Sequence, residues 1–110
     1  MNEALEKQMT QEYVDLVKEW AGRNNYPMSD QSMRTAAKVL MHRDKALDYP
    51  PGHFIQALLD NDLRGVMSRA DDDSWKNFTY IYRAWYNIDA YHLKWKYDAL
   101  IKQEAEEANV

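Results

Sequence analysis

The chain has 110 residues, 45% of them hydrophobic and 29% charged, with a formal net charge of -4. That length gives a single domain, 1–110, with a modest core. The absence of cysteine excludes disulfides and thiolate metal sites, and the acidic balance argues against a general nucleic-acid coat.

Only three glycines and three prolines interrupt a chain rich in Ala, Leu, Met, Lys, Glu and Gln. No run alternates with strand periodicity for long. The expected class is therefore all-α. No apolar stretch reaches the roughly 18 residues of a membrane span, and no charged start leads into an apolar segment. No membrane partner and no signal peptide are expected, and the absence of cysteine fits a cytoplasmic location.

Residues 3–21 form the first predicted helix. Leu5, Met9, Tyr13, Leu16, Val17 and Trp20 recur at spacings of three and four, and Gly22 is a natural stop. A turn follows at Arg23 to Met28. Ser29 is suited to cap a second helix, with Asp30 in its first turn. Met33, Ala36, Ala37, Leu40 and Met41 make its apolar stripe. Arg34, Lys38, Arg43 and Lys45 make it the one basic element, either a solvated face or a contact surface for an acidic partner. Tyr49-Pro50-Pro51-Gly52 breaks the chain. Two short helices are then expected, one around Phe54, Ile55, Leu58 and Leu59 and one around Leu63, Val66, Met67 and Ala70. Asp60-Asn61-Asp62 and Asp71-Asp72-Asp73-Ser74 supply caps. Phe54, Leu58, Leu63 and Met67 are expected to pack against Trp75, Phe78, Tyr82 and Trp85. Arg69 is placed to pair with an aspartate of the following turn.

The last segment, about Asp72 to Glu107, reads as one long aromatic helix of about 50 Å if unbroken, with Asn87-Ile88-Asp89 its only soft point. Nine of the fourteen aromatic residues lie between Trp75 and Tyr97. Trp75, Phe78, Tyr82, Trp85 and Tyr86 share one face; Tyr80, Ile81, Ile88, Tyr91 and Trp95 lie largely on the other. A helix apolar on two sides is either a central post or a surface that meets another molecule. Tyr and Trp often anchor protein interfaces. Tyr80, Ile88, Tyr91 and Trp95 are the expected protein-binding residues. Ile81 and Ile88, left uncovered beside them, would favour a homodimer about a two-fold axis. A seven-residue seam through Phe78, Ile81, Trp85, Ile88, His92, Trp95 and Ala99 points the same way.

Chemistry is sparse. His42, His53 and His92 are scattered. Asp89 and His92 could share a helical face, but two ligands do not make a metal site. The aspartate runs lack EF-hand spacing. Ser68 and Ser74 lack a nucleophile frame, and there is no Gly-rich phosphate loop. No catalytic residue, cofactor or metal is therefore expected. An enzyme would need a pocket joining His53 or His92 to two acidic side chains. The aromatics could stack single-stranded nucleic acid, since Lys76, Arg83, Lys94 and Lys96 outnumber Asp89 around them.

A further pattern runs through the middle of the chain: Pro51, Gly52 and Phe54; Ala57, Leu59, Asn61, Asp62 and Leu63; Arg69-Ala70-Asp71; Asn77; and Tyr86-Asn87. Over about residues 50–88 it resembles small helical proteins of tailed bacteriophages and prophages. It departs from them after Asn87, where Ile88-Asp89-Ala90-Tyr91 continues. The resemblance implies a phage-encoded protein in the bacterial cytoplasm, and small acidic phage proteins commonly bind a host protein, sometimes one of a defence system. The resulting expectation is a compact bundle of about five helices that is not an enzyme. It would inhibit or modulate a host protein. The alternative is a nucleic-acid-associated regulator using the basic second helix.

Overall fold

A computed structural model describes residues 1–108. They form seven α-helices and no strand: α1 (Glu3–Arg23), α2 (Asp30–Arg43), α3 (His53–Leu59), α4 (Leu63–Arg69), α5 (Asp72–Lys76), α6 (Phe78–Asn87) and α7 (Tyr91–Ala108). The all-α expectation holds. The count exceeds the expected five because the last segment divides into three helices.

Local chemistry sets the starts. Asn2, Ser29, Asp62 and Asp71 each accept a hydrogen bond from the backbone N–H three residues on, satisfying donors that a helix leaves open at its N-terminus. The first three helices stop by one device. Asn25, Lys45 and Asn61 each take φ of 57°. The amide after each reaches back to the carbonyl five positions before it: Tyr26 to Ala21, Ala46 to Met41 and Asp62 to Ala57, at 2.8–2.9 Å. These are Schellman closures. Gly22 is therefore not the stop of α1. The helix continues to Arg23, and Asn25 takes the left-handed position, which asparagine tolerates better than most residues.

The central element is α2, not the aromatic segment. Ala36, Ala37, Val39, Leu40 and Met41 are all buried to within 1% of completely. Small side chains let α1 and α6 approach it closely, and these two make its principal contacts. Met9, Tyr13 and Val17 of α1 and Ile81 and Ala84 of α6 close the core around it. Helix α7 lies antiparallel to α1: Asn2 bonds Glu104 at 2.7 Å, and Lys96 bonds Glu12 at 2.6 Å further along.

Two corrections follow for the last segment. Asn77 interrupts it first, with its side chain donating to the Asp73 carbonyl at 2.9 Å. The second break lies at the soft point, where Ile88 is extended at φ -84° and ψ 122°. Arg43 explains that break. Its Nη1 donates to the carbonyl oxygens of Trp85 and Ile88 at 2.7 and 2.8 Å. In a continuous helix the Trp85 carbonyl would accept from residue 89. The guanidinium takes that place, and the Asp89 carboxylate turns to accept from the Tyr91 amide. A continuous heptad seam from Phe78 to Ala99 therefore does not exist.

The short helices pack differently from expectation. Leu58 is buried, but Leu63, Met67 and Trp75 are more than half exposed. Helix α4 turns Gly65 and Val66 inward instead. A β-carbon on Gly65 would collide with the Asp62 carboxylate and crowd Ala57, so only glycine lets α4 sit this close to its own cap and to α3. Arg69 forms no ion pair with the Asp71–Asp73 turn. Asp71 instead caps α5 and accepts from Gln31, while Asp73 accepts from Ser29 at 2.8 Å.

Candidate interaction surface

The four residues expected to bind protein separate in the fold. Ile88 is 6% exposed, held at the junction that Arg43 clasps. Tyr80 is half-buried, its ring 5.1 Å from Tyr26, which in turn meets the edge of Trp20 at 5.1 Å. Both serve the fold, so neither is free for a partner. The reason is the break at Ile88: it rotates the residues before it and after it into separate registers. Ile81, proposed for the same patch, is fully buried. The two isoleucines that favoured a homodimer are thus covered within one chain.

Tyr91 and Trp95 remain. They are 59% and 69% exposed, and their rings stack at 6.0 Å with 26° between planes. The sequence places them one helical turn apart, on the same side of α7. Leu93 and Tyr97, two positions out of phase, face the core. Ala90 is fully buried at the entry to the helix. Lys96 ties α7 to Glu12 of α1 at 2.6 Å, and Lys94 pairs with Asp98 within the helix, also at 2.6 Å. The stack therefore stands on a helix that is anchored inward and tied to α1 along one edge. Tyr86, at the end of α6, is 78% exposed.

These ion pairs also change the electrostatic picture. Half of the positive charge counted around the aromatics is paired. Lys94 and Lys96 each hold a carboxylate, and the Arg83 guanidinium lies 5.4 Å from the centre of the Tyr26 ring. Burial pushes the Glu12 carboxyl up, but Lys96 and Tyr97 outweigh it and bring it below its ordinary value. A platform for single-stranded nucleic acid needs free cations around its rings, and two of the four counted there are engaged.

The basic helix is divided in the same way. Arg43, a quarter exposed, is bonded to two carbonyls and to Asp44, so it is a structural clasp. Arg34 and Lys38 are exposed on α2. Neither makes an ion pair among the described residues. His42, one turn on, is held below its ordinary pKa by burial and by Lys38.

His53 does meet two carboxylates. It lines a shallow cleft of about 200 Å³ with Asp60, Asp62 and Arg69. Both acids are engaged: Asp62 caps Gly65 at 3.0 Å and Asp60 accepts from Gln56 at 2.9 Å. His92 is exposed on α7, away from that cleft. No helix among the described residues is long and apolar enough to cross a membrane. No protein-family model, no curated protein and no solved structure matches this chain.

Proposed function

We propose that this is a non-enzymatic binding protein of phage type, which inhibits or modulates a bacterial host protein through the outer face of α7. The carrying observation is the Tyr91–Trp95 stack. Two large aromatics lie mostly exposed on a helix whose inner face is buried and whose Lys96 is paired to α1. Rigid Tyr and Trp side chains lose little conformational entropy on binding and bring large apolar area, which is why they dominate interface hot spots. Tyr86 extends the aromatic surface from the end of α6. The pattern over residues 50–88 supplies the phage context and, with it, a cytoplasmic location; a defence protein is one such target.

Affinity capture from a bacterial lysate tests the reading. Wild-type protein should retain a partner that Tyr91→Ala/Trp95→Ala loses, while Arg34→Gln, on a different helix, retains it. Equal capture by wild type and the aromatic double variant would refute the surface. Self-association is a separate outcome of the same experiment: a captured copy of this chain would move the proposal from a host partner to a homodimer built on Tyr91 and Trp95.

A further inference from the structure

Two large clefts flank the outer row of α2. One, of about 650 Å³, opens toward α1; its charges balance, with Glu3, Glu6, Asp15 and Asp30 facing Lys7, Lys18, Arg34 and Lys38. The other, of about 530 Å³, opens toward α3 and the turn between α4 and α5, and its charges do not balance. Arg34, Lys38 and Arg69 line it against a single carboxylate, Asp71, in a chain whose overall charge is -4. We propose that this second cleft binds a small organic phosphate carrying a planar ring, a ligand of mononucleotide size.

The row itself comes from helical spacing. Arg34, Lys38 and His42 stand at successive intervals of four, so they project along one side of α2. Arg69, at the end of α4, lines the same cleft from another element. None of Arg34, Lys38 and Arg69 makes an ion pair among the described residues, although Arg34 and Lys38 also border the acid-lined first cleft. Unpaired cations brought together from separate elements repel one another and are stabilised by an anion. The one carboxylate present is already committed: Asp71 accepts the Ser74 amide at 2.7 Å and the Gln31 side chain at 3.3 Å. The Ser74 backbone amide first, then the Ser74 side chain and the Asp73 amide, hold its carboxyl below the ordinary range. Arginine presents its donors in a fork that matches phosphate oxygens.

The ring is argued from the remaining wall. Phe54 and Ile55 of α3 and Tyr49 of the preceding turn line the same cleft. Tyr49 is fixed there, its hydroxyl donating to Glu6 at 2.8 Å and its ring meeting the edge of His42 at 5.7 Å. A cavity of several hundred Å³ with an apolar wall and a few convergent polar groups is the usual form of a small-molecule site. A bare inorganic anion would fill a small part of it. An extended nucleic acid strand is not favoured, because the balanced first cleft offers no continuing basic track.

Titration of the full chain with AMP, followed by calorimetry and by backbone amide NMR, tests this. Adenosine and inorganic phosphate serve as separate probes. Saturable AMP binding is expected, with shifts centred on Arg34, Lys38, Phe54 and Arg69. Adenosine and phosphate should each bind at least about tenfold more weakly. Arg34→Gln and Arg69→Gln should each weaken AMP binding about tenfold with an unchanged melting temperature, since both side chains are exposed. Lys38→Gln provides a second cation variant should either arginine change unsettle the fold. Trp95→Ala should leave AMP binding intact, which separates this cleft from the α7 surface. No saturable AMP binding at about 10 mM would overturn the proposal. So would adenosine or phosphate binding as tightly as AMP, or cation variants that bind like wild type.

Discussion

Replacing Arg43 by alanine should destabilise this protein more than any other single charge removal on α2. The side chain makes four bonds: two to the carbonyls of Trp85 and Ile88, at 2.7 and 2.8 Å, and two to Asp44, at 2.8 and 3.3 Å. The Asp44 side chain is 4% exposed, and without Arg43 its carboxylate keeps only the Tyr13 hydroxyl, at 3.1 Å. Losing one partner of a buried ion pair costs about 3–5 kcal/mol, and hydrogen bonds to charged groups contribute about 1.5–3 kcal/mol each. Arg43 is itself 24% exposed, so water re-solvates part of what it leaves. The lower end applies, about 3 kcal/mol, or roughly 13 °C in melting temperature. Urea unfolding with circular dichroism measures it. Lys38→Ala, one turn away and exposed, should stay within about 0.5 kcal/mol. Adding Asp44→Asn to Arg43→Ala should recover part of the loss by removing the stranded charge. A cost below about 1 kcal/mol for Arg43→Ala would refute the clasp as the cause of the break between α6 and α7.

Further outcomes follow from the packing and from titration. Leu58→Ala should cost about 2–5 kcal/mol, since Leu58 is 1% exposed; Leu63→Ala, on an exposed position of α4, should cost under about 0.5 kcal/mol by the same urea assay. Lys45→Gly should stabilise by about 0.5–1 kcal/mol, because a lysine at φ of 57° carries a strain that glycine lacks; a loss of stability would show that the Lys45 side chain contributes more than its backbone costs. Burial first, and then the charge of Asp44, holds the Tyr13 hydroxyl above its ordinary pKa. Its proton is bound more tightly in the folded state, so stability is intact below about pH 10 and falls as pH rises from there through the folded value. Tyr13→Phe should flatten that decline in urea midpoints between about pH 9 and 11. Tyr49, pushed up to about 12 by burial and by Glu6, leaves a residual slope of the same sign.

Local signals carried much of the fold. Ser29, Asp62 and Asp71 cap where their short polar side chains predict, and the Asn87–Asp89 soft point is where the chain turns. Burial was less legible. Aromatic density drew attention to the Trp75–Tyr97 segment, yet the centre of the core is the α2 stripe with Ala36 and Ala37, which periodicity marks as apolar without showing that two other helices close on it. Their smallness is the point, because it lets α1 and α6 close on α2. The role of Arg43 was hidden for a different reason. A basic residue at the end of a charged helix reads as solvated unless the carbonyls it will meet, more than forty positions away, are known. The same long-range contact decided the candidate surface. It broke the aromatic helix, drew Ile88 inside and left Tyr91 and Trp95 outside.

The central claim is that the outer face of α7 meets a protein partner. A photo-crosslinking amino acid placed at position 95 in bacterial cells tests it without purification. The account predicts a discrete adduct of the chain with one other protein, formed also from position 91 and absent from position 18 on the exposed side of α1. No adduct from positions 91 and 95, or an equal one from position 18, would contradict it.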